Sequence, residues 1–571
     1  MRLTRLSITN FRSVGRTVDI ALPSQHVAIL GSNNAGKSNI VSALEWVLGR
    51  TPYQLHATRD DFHDPVEPII IEAEISAITN ADKRYLMSVA TSQQQRGALT
   101  GRDDPIIKLK LTIPPFETPP GSGPDDEPTE ETTASSNRAT FELNLWGFPI
   151  HRGAVDRRRQ IAQLVVVATD RRPSEDLQAS RWTPYGQLMK TVLETSPHYD
   201  ELKTMLDQVN SKIQEIFSAE KASLLRGARI PSYVDDVDFQ LTRENNPAEL
   251  LRYLEVFISE SERRSNISQV GTGMQSAVII GMFELVLRQK TTHLRIFVVE
   301  EPDAFIHPHG IRLLAGLMRD ISQDEGPQVL LTSHSPALVA GLPPRDIIRV
   351  EKQQGTTDVF QAKGDLSDPD FARFVNQDTA EMFFARRVVL VEGDTERFLL
   401  PPLSRLVNVR ARQLDFDRDR ISVIPMHTKD NIVNFLRILD EFQIEARAIL
   451  DNDFLSGTSR LPLVAYLRGR GMAIDDASDE SLRGSLWNLG ILVLQRGEIE
   501  NYVPESDVAA ITGKSISDVR NELASSSKAS MAFKRLFNAS KPVYALQLTE
   551  HYISAGSTPA DLERLIKDVV K

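Results

Sequence analysis

The sequence predicts an α/β protein in which two domains each use the carboxyl ends of strands to present functional groups. In the first domain an apolar strand at residues 27–30 runs directly into a glycine-rich loop and a segment with helical spacing. In the second, three apolar strands are separated by helical patterns and are each followed by acidic residues, which indicates a parallel sheet. With 571 residues the chain is also too long to form one hydrophobic core.

The composition is that of an ordinary globular protein, with 41% hydrophobic and 25% charged residues. We expect a cytoplasmic protein without a membrane partner, because no stretch approaches the roughly 18 apolar residues of a transmembrane helix and the N-terminus lacks a signal-peptide core. The absence of cysteine excludes disulfides and thiolate metal sites. A net charge of −11 argues against a general polyanion-coating protein, but it is compatible with a nucleic-acid enzyme whose metal-binding groups are acidic.

The segment from Gly31 to Ser38 matches the phosphate-binding pattern G-x-x-x-x-G-K-[ST]. Its glycines allow backbone N–H groups to surround phosphates, the lysine neutralises the β- and γ-phosphates, and the serine hydroxyl binds Mg²⁺. The preceding strand and the following helix supply the required context. The residues predicted to contact ATP are Asn33, Asn34, Gly36, Lys37, Ser38 and Asn39.

Two later strands end in residues suited to ATP hydrolysis. The apolar strand at residues 294–299 leads into Glu300 and Glu301, which we assign to the Mg²⁺ shell and to the attacking water, respectively. A second strand, at residues 329–333, ends at His334, which is placed to sense the γ-phosphate. Both strands have the apolar composition of buried sheet strands.

A serine- and glycine-rich segment containing Gly271 and Gly273 precedes an apolar helix, and such a helix N-terminus can bind an anion. With Asn10-Phe11-Arg12-Ser13, Glu300-Glu301-Pro302 and Ser333-His334-Ser335-Pro336, this signature resembles the ABC-type ATPases of the structural-maintenance and recombination branch. The resemblance implies a homodimer in which ATP lies between the P-loop of one subunit and the signature of the other. It leaves the glutamine-loop residue unassigned, with Gln54 as one candidate.

A segment with helical period interrupts the ATPase pattern, and two interpretations of its apolar face stay open. The helix either covers the core of its own domain or forms an arm for dimerisation, which would also permit a homotetramer. A polar stretch rich in proline and glycine, Pro114 to Arg138, predicts a disordered loop. The predicted divisions are an ATPase domain at 1–172 and 228–351, the helical insertion at 173–227, a linker at 352–380 and an α/β domain with a helical tail at 381–571.

The three acid-bearing strands of the second domain deliver carboxylates to one edge of the predicted sheet. Carboxylates held together repel unless cations neutralise them, and hard oxygen ligands suit Mg²⁺ or Mn²⁺, with Ca²⁺ as an alternative. The candidate metal ligands are Glu392, Glu396, Asp451, Asp453, Glu498 and Glu500.

This order of acids resembles a Toprim domain, and an ABC ATPase followed by a Toprim domain resembles the OLD (overcoming lysogenisation defect) nucleases. The nuclease subunit of the Gabija anti-phage system is a relative of that family. The resemblance implies DNA cleavage by two-metal phosphodiester hydrolysis, with Lys541 as a transition-state lysine, and a solvated surface lysine is the alternative for that residue. Whether a helicase-like partner is needed is left open.

The leading hypothesis is therefore an ATP-regulated, metal-dependent DNA endonuclease, in phage defence or DNA processing. An ATP-gated DNA clamp with an inactive Toprim domain is the alternative, and the intact acids Glu392, Asp451 and Asp453 argue against it. A topoisomerase would need a nucleophilic tyrosine, and Tyr502 lies among residues that look like ligands.

Overall fold

A computed structural model of the protein describes residues 1–49, 55–90, 92–100, 105–116, 139–150, 154–167, 189–190, 192–194, 196–219, 246–260, 263–271, 273–275, 277–278, 281, 294–303, 311–312, 315–316, 320, 327–363, 366 and 369–570. Within those ranges, no helix combines the length and the hydropathy that a bilayer crossing requires. The chain divides into two compact units, residues 1–159 with 330–571 and residues 160–329.

The strands in chain order are β1 (Arg2–Thr9), β2 (Val18–Ala21), β3 (His26–Leu30), β4 (Ile69–Ser76), β5 (Ile107–Ile113), β6 (Thr140–Leu145), β7 (Phe148–Ile150), β8 (Ala162–Val167), β9 (Phe257–Glu260), β10 (Arg263–Asn266), β11 (Leu294–Glu300), β12 (Gln328–Ser333), β13 (Ile347–Gln353), β14 (Thr356–Gln361), β15 (Arg387–Val391), β16 (Asn408–Val409), β17 (Arg412–Gln413), β18 (Ile421–Pro425), β19 (Glu445–Leu450) and β20 (Ile491–Val493). The α-helices are α1 (Lys37–Leu44), α2 (Asn80–Val89), α3 (Gln93–Thr100), α4 (Ala154–Ile161), α5 (Tyr199–Ile216), α6 (Pro336–Val339), α7 (Asp394–Ser404), α8 (Ile432–Glu441), α9 (Arg460–Gly469), α10 (Asp479–Asn488), α11 (Glu505–Thr512), α12 (Ile516–Ser525), α13 (Ala529–Phe537), α14 (Lys541–Ala555) and α15 (Ala560–Val570).

An antiparallel sheet in the order β2-β1-β4-β5-β6-β7 forms the N-terminal part of the first unit. Strand β4 buries every second residue, as the alternation of its sequence predicts, and its apolar face lies against helix α1. The other face carries cross-strand ion pairs, such as Lys108 with Glu74 at 3.3 Å and Lys110 with Glu72 at 3.2 Å. This sheet supports the helix that follows the P-loop.

The P-loop leaves the end of β3, a strand that is buried along its whole length. Strand β13 pairs with β3 in parallel, with Arg349 opposite Leu30, and pairs antiparallel with β14, while β12 lies on the other side of β3. Strand β14 lies within residues 352–380, which the sequence predicts to be a linker. The first part of that segment is therefore a sheet strand, at the edge of the sheet, and its Thr, Val and Phe residues are typical of strands.

The C-terminal part of the first unit contains the predicted parallel sheet, in the order β18-β15-β19-β20. Its central strand β15 is covered on both faces: Val388 and Leu390 belong to one hydrophobic core, and Val389 and Val391 to another. Leu30, next to the P-loop, belongs to the same core as Leu390. The strand that precedes the P-loop and the acid-bearing sheet thus share a continuous apolar interior.

In the second unit, β11 pairs in parallel with β8, and β9 and β10 form an antiparallel pair. Helix α5 lies in the predicted helical insertion, and although the structure describes this helix throughout, none of its residues is buried. Met205, Val209 and Ile216 on its predicted apolar face are 51%, 49% and 69% exposed. Residues 117–138 of the predicted loop and residues 173–188 of the insertion lie outside the described ranges.

Candidate nucleotide and metal sites

The P-loop backbone requires glycine at two points. Gly36 has a φ of 109°, and a Cβ on it would lie 2.3 Å from the Thr357 Oγ1 atom. A Cβ on Gly31 would lie 2.4 Å from the carbonyl oxygen of Val350. Strand β13 and strand β14 therefore press against the loop so closely that side chains at these positions are excluded.

The functional side chains of the P-loop divide into buried and exposed groups. Lys37 is 5% exposed, and its Nζ donates to the carbonyl oxygens of Gly31 at 2.9 Å and Ser32 at 3.2 Å. Asn33, Asn34 and Ser38, which are predicted to contact ATP, are exposed. The amine of Lys37 is thus held over the loop, while the side chains of Asn33, Asn34 and Ser38 are open to solvent.

A hydrogen-bonded group behind the loop contains Thr357, which the sequence analysis did not identify. Thr357 Oγ1 donates to the Ala35 carbonyl oxygen at 3.0 Å and lies 2.7 Å from Ser13 Oγ. Asn39 Nδ2 donates to the same serine oxygen at 2.6 Å. Asn39, a predicted ATP contact, thus belongs to the hydrogen-bonded group that supports the P-loop. Thr357 was not predicted, because it lies more than 300 residues away in the chain.

The other predicted nucleotide-site residues lie as follows. His334 is exposed directly after β12 in the first unit. In the second unit Glu300 ends β11, and Glu301 follows with a φ of 41°. Gly273 is the first residue of a helical turn at residues 273–275, and Gly271 lies two residues before it. Gln54 and residues 304–310 are outside the described residues. The roles of these residues toward ATP stay predictions.

The acids predicted to hold metal gather at the carboxyl edge of the parallel sheet. Glu392 follows β15 and Asp451 follows β19, and the backbone N–H of Asp451 donates to Glu392 Oε1 at 2.9 Å. Asp453 completes this group, since one ligand atom from each of the three residues lies within 4.8 Å of the others. This spacing is compatible with shared coordination of one cation.

A second group of acids adjoins the first. Glu396, in the first turn of α7, is 4% exposed, and Glu500, after β20, is 2% exposed. Glu500 Oε1 accepts from Thr395 Oγ1 at 2.8 Å and from the Tyr544 hydroxyl. Tyr544, on α14, was not identified from the sequence because a buried aromatic residue in a helix is ordinarily part of the core.

Burial and mutual repulsion raise the pKa of several of these carboxyls. Burial, with the charges of Glu392, Glu498, Glu500 and Asp453, raises the pKa of Asp451 to about 8. Burial also raises the pKa of Glu392, and burial with Glu500 and Asp451 raises that of Glu396 far above its ordinary range. The cluster is thus held at a high electrostatic cost in the absence of cations.

The donor set fits divalent metal ions. Among the described residues, no hydrogen-bond partner reaches the buried atoms Asp451 Oδ1 and Glu396 Oε2. A buried carboxylate oxygen without a partner is costly, and a hard cation would satisfy it. The unsatisfied oxygens and the raised pKa values therefore both favour binding of a divalent cation by these carboxylates.

Glu498 has a different setting from the other predicted ligands. Its Oε2 accepts from the backbone N–H of Ser530 at 2.7 Å, and its Oε1 accepts from Ser530 Oγ at 3.1 Å. Both oxygens thus bind the first turn of α13. This contact holds the helix against the acidic edge, and metal coordination by Glu498 stays a prediction.

Lysines border the acids on two sides. Lys541 begins α14, and its Nζ would lie 3.5 Å from a Cβ added to Gly393, while its charge opposes the rise in the pKa of Glu396. Lys429 and Lys528, which the sequence analysis did not identify, both contact Asp453. The irregular spacing of these lysines along the chain offers no sequence signal for them.

Two family models match the chain. The family described as "AAA domain, putative AbiEii toxin, Type IV TA system" matches residues 27–340, which is more than half of the chain. The family described as "Overcoming lysogenization defect protein-like, TOPRIM domain" matches residues 383–453, which include Glu392, Asp451 and Asp453.

Similar proteins cover most of the chain. The Old nuclease of Escherichia phage P2 is 22% identical over 490 residues, which is 80% of this chain and 78% of the phage protein. The OLD nuclease of Thermus scotoductus is 24% identical over 476 residues, 79% of this chain and 82% of that protein. Endonuclease GajA of Bacillus cereus is 22% identical over 425 residues, 70% of this chain and 67% of GajA.

These matches confirm the predicted order of an N-terminal ATPase domain and a C-terminal Toprim domain. They also confirm the predicted resemblance to the OLD nucleases. The chain therefore belongs to the AAA domain family, carries an OLD-like TOPRIM domain after it, and is a relative of the OLD nucleases.

Proposed function

We propose that the protein is a DNA endonuclease that depends on divalent metal ions and is regulated by ATP. The observation that carries the proposal is the convergence of Glu392, Asp451 and Asp453 at one sheet edge, with an unsatisfied buried oxygen on Asp451. Relatives named as nucleases support DNA as the substrate. Mg²⁺ is the expected cation, with Mn²⁺ or Ca²⁺ as alternatives.

The acids would serve as two neighbouring sets of ligands. Glu392, Asp451 and Asp453 form the first, and Glu396 with Glu500 forms the second, whose members influence Asp451 electrostatically. Divalent cations held there would supply an activated water and stabilisation of the leaving oxygen. Lys541, beside Glu396 and Gly393, would stabilise the negative charge that develops on the phosphate.

The strands β13 and β14 support the regulatory part of the proposal, because they contact both functional regions. At one end Thr357 binds the P-loop backbone at Ala35. On the neighbouring strand Arg349, which is 2% exposed, donates to the carbonyl oxygens of Phe442 at 3.1 Å and Ala385 at 3.4 Å in the Toprim part of the chain. A change in P-loop backbone conformation on ATP binding would therefore act on the nuclease domain through one hairpin.

We also propose that the protein is a homodimer or homotetramer. Helix α5 supports this part of the proposal, because its apolar residues Met205 and Val209 are each about half exposed and are spaced one turn apart. Signature residues Gly271 and Gly273 would face the P-loop of a second subunit. A helicase-like partner, which the resemblance to the Gabija nuclease subunit implies, is a further part of the proposal.

Plasmid cleavage in Mg²⁺ or Mn²⁺, with and without ATP, tests the proposal. We expect the wild-type protein to nick or cut supercoiled DNA and the Glu392→Ala variant to lose at least about 100-fold of that rate, because a metal ligand is removed. We expect Lys37→Ala to abolish ATP binding while it leaves metal-dependent cleavage chemistry in place.

Three outcomes would count against this reading. Intact supercoiled DNA under every metal and nucleotide condition would favour the alternative of an ATP-gated clamp. Full cleavage by Glu392→Ala would show that the active site lies elsewhere. An unchanged rate of ATP hydrolysis in Glu301→Gln would remove Glu301 from its predicted role at the attacking water.

A further inference from the structure

Two lysines engage the carboxylate of Asp453 from different parts of the chain. Lys429 Nζ lies 2.6 Å from Asp453 Oδ1, and Lys528 Nζ lies 3.3 Å from Asp453 Oδ2. Lys429 stands in the turn after β18, and Lys528 immediately precedes α13. Lys528 Nζ also lies 3.6 Å from Glu498 Oε1. Two ammonium groups thus converge on one side of the acidic cluster.

These lysines lie at the open side of the cluster. The side chain of Asp453 is 46% exposed and that of Lys528 is 51% exposed, whereas Lys429 is 21% exposed. Asp451, by contrast, is 9% exposed and faces the interior of the site. A molecule that approaches the buried Asp451 from solvent on this side would therefore pass Lys528 and Asp453, with Lys429 beside them.

The ion pairs of Lys429 and Lys528 with Asp453 contribute little to the stability of the fold. Exposed ion pairs typically contribute about 0–1 kcal/mol, and a second lysine on the same half-exposed carboxylate adds little more. Partial burial raises the pKa of Asp453, and Lys429 and Lys528 more than offset this effect, so that its pKa lies below the ordinary value. Each ammonium group still retains N–H donors beyond the one that it gives to Asp453.

A polyanionic substrate needs such donors here. The protein carries a net charge of −11, and the cluster itself repels phosphate. Lys541 supplies one positive charge beside Glu396, and Lys429 with Lys528 supply two more beside Asp453. The positive charges therefore lie on two sides of the carboxylates, where they can offset the repulsion between these acids and the phosphates of a bound DNA strand.

We propose that Lys429 and Lys528 bind backbone phosphates of the DNA strand on the Asp453 side of the site and so position the scissile bond over the carboxylates. They are positioning residues, distinct from the metal ligands and from Lys541. This inference rests on the proposed nuclease function and extends it to how the substrate is held.

Binding of a fluorescently labelled DNA duplex, measured by anisotropy in Ca²⁺ and again in EDTA over a series of salt concentrations, tests the proposal in the full-length protein. We expect Lys429→Ala and Lys528→Ala each to weaken binding about tenfold. Each should also reduce the slope of log affinity against log salt by about 0.9, the value for one lost phosphate contact. Lys528→Arg should retain most of the affinity, because a positive charge remains.

Lys534→Ala is the matched control, since Lys534 is an exposed lysine on α13, and it should bind DNA with the wild-type affinity and salt slope. Wild-type affinity and slope in both Lys429→Ala and Lys528→Ala would overturn the proposal, even if cleavage fell. The lysines would then act only by orienting Asp453. Failure of the nuclease proposal can be told apart from failure of this one. The former would appear as absent plasmid cleavage by the wild-type protein, whereas the latter is measured by DNA binding alone.

Discussion

At the scale of single residues, the environment of Asp451 explains why the acidic edge needs cations. Its side chain is buried next to other carboxylates, and one of its oxygens has no partner among the described residues. Tyr544 and Thr395 donate to Glu500, and Ser530 donates to Glu498, but within the described part of the chain no comparable donor reaches Asp451 Oδ1. The electrostatic cost of the ionised Asp451 side chain is therefore relieved only by a proton or by a metal ion.

The raised pKa of Asp451 predicts how the stability of the metal-free protein changes with pH. The folded protein keeps this proton up to about pH 8, whereas the unfolded chain loses it near the ordinary value of 3.8. The folded state thus binds more protons between these values, and the free energy of unfolding falls as pH rises through this window. Affinity for Mg²⁺ or Mn²⁺ should rise over the same window, because the metal competes with the proton.

Thermal unfolding in EDTA at pH 8.5 measures this effect. We expect Asp451→Asn to unfold about 2 °C or more above the wild type, since it removes the buried charge, and to gain nothing from added Mg²⁺. The wild type should be stabilised by Mg²⁺. A melting temperature for Asp451→Asn below that of the wild type in EDTA would contradict the assignment of Asp451 as the strained ligand.

At the scale of secondary-structure elements, the β13–β14 hairpin shapes the P-loop. The Val350 carbonyl excludes a side chain at Gly31, and Thr357 does the same at Gly36. The loop conformation therefore depends on a strand that follows it by more than 300 residues. The glycines permit the conformation, and the hairpin selects it.

Removal of the Thr357 hydroxyl should weaken nucleotide binding. We expect Thr357→Val, which keeps the side-chain volume, to lower ATP affinity roughly fivefold, because each net hydrogen bond contributes about 1 kcal/mol. Equilibrium binding of a fluorescent ATP analogue measures this change. Thr356→Val on the same strand is the control, and an equal loss in both variants would show that the effect does not come from the contact with Ala35.

The same hairpin predicts a variant that separates the two activities. Arg349→Met keeps an apolar body of similar length but removes the donors to Phe442 and Ala385. We expect ATP hydrolysis and ATP-free cleavage to stay within a few-fold of wild type, while the change in cleavage on adding ATP is largely lost. Lys352→Met, an exposed position on β13, serves as the control. An undiminished ATP effect in Arg349→Met would exclude this route of coupling.

At the scale of the whole molecule, assembly would complete the nucleotide site. Helix α5 is 18 residues long, it has no buried residue, and its described side chains include exposed Met205 and Val209. An exposed apolar stripe of this length is typical of a helix that packs on a partner. The proposed oligomer would place the signature of one subunit near the P-loop of another.

The double change Met205→Asp with Val209→Asp should reduce the oligomeric state. We expect the mass measured by light scattering after size-exclusion chromatography to fall by about half, because charges would be buried at the contact between subunits. Gln208→Asp, an exposed polar position on the same helix, should keep the wild-type mass. An unchanged mass in the double variant would mean that α5 does not form the interface.

The sequence by itself determined the features that depend on local pattern. Short motifs predict the P-loop and the order of the two domains. Apolar runs predict the buried strands that lead into the P-loop and into the acidic residues. Matches to both family models confirm that order. The parallel sheet behind Glu392 and Asp451 was also predictable, because acids at the ends of parallel strands necessarily share an edge.

Only the tertiary structure decided which distant residues meet these motifs. Thr357 reaches Ala35, Tyr544 reaches Glu500, and Lys528 reaches Asp453 across separations of 322, 44 and 75 residues. No periodicity or spacing encodes such contacts, since they arise when strands and helices from separate parts of the chain pack around shared cores. The same packing determines the surroundings of each carboxylate. Glu498 accepts hydrogen bonds from the first turn of a helix, whereas Asp451 is buried beside other acids, which raise its pKa.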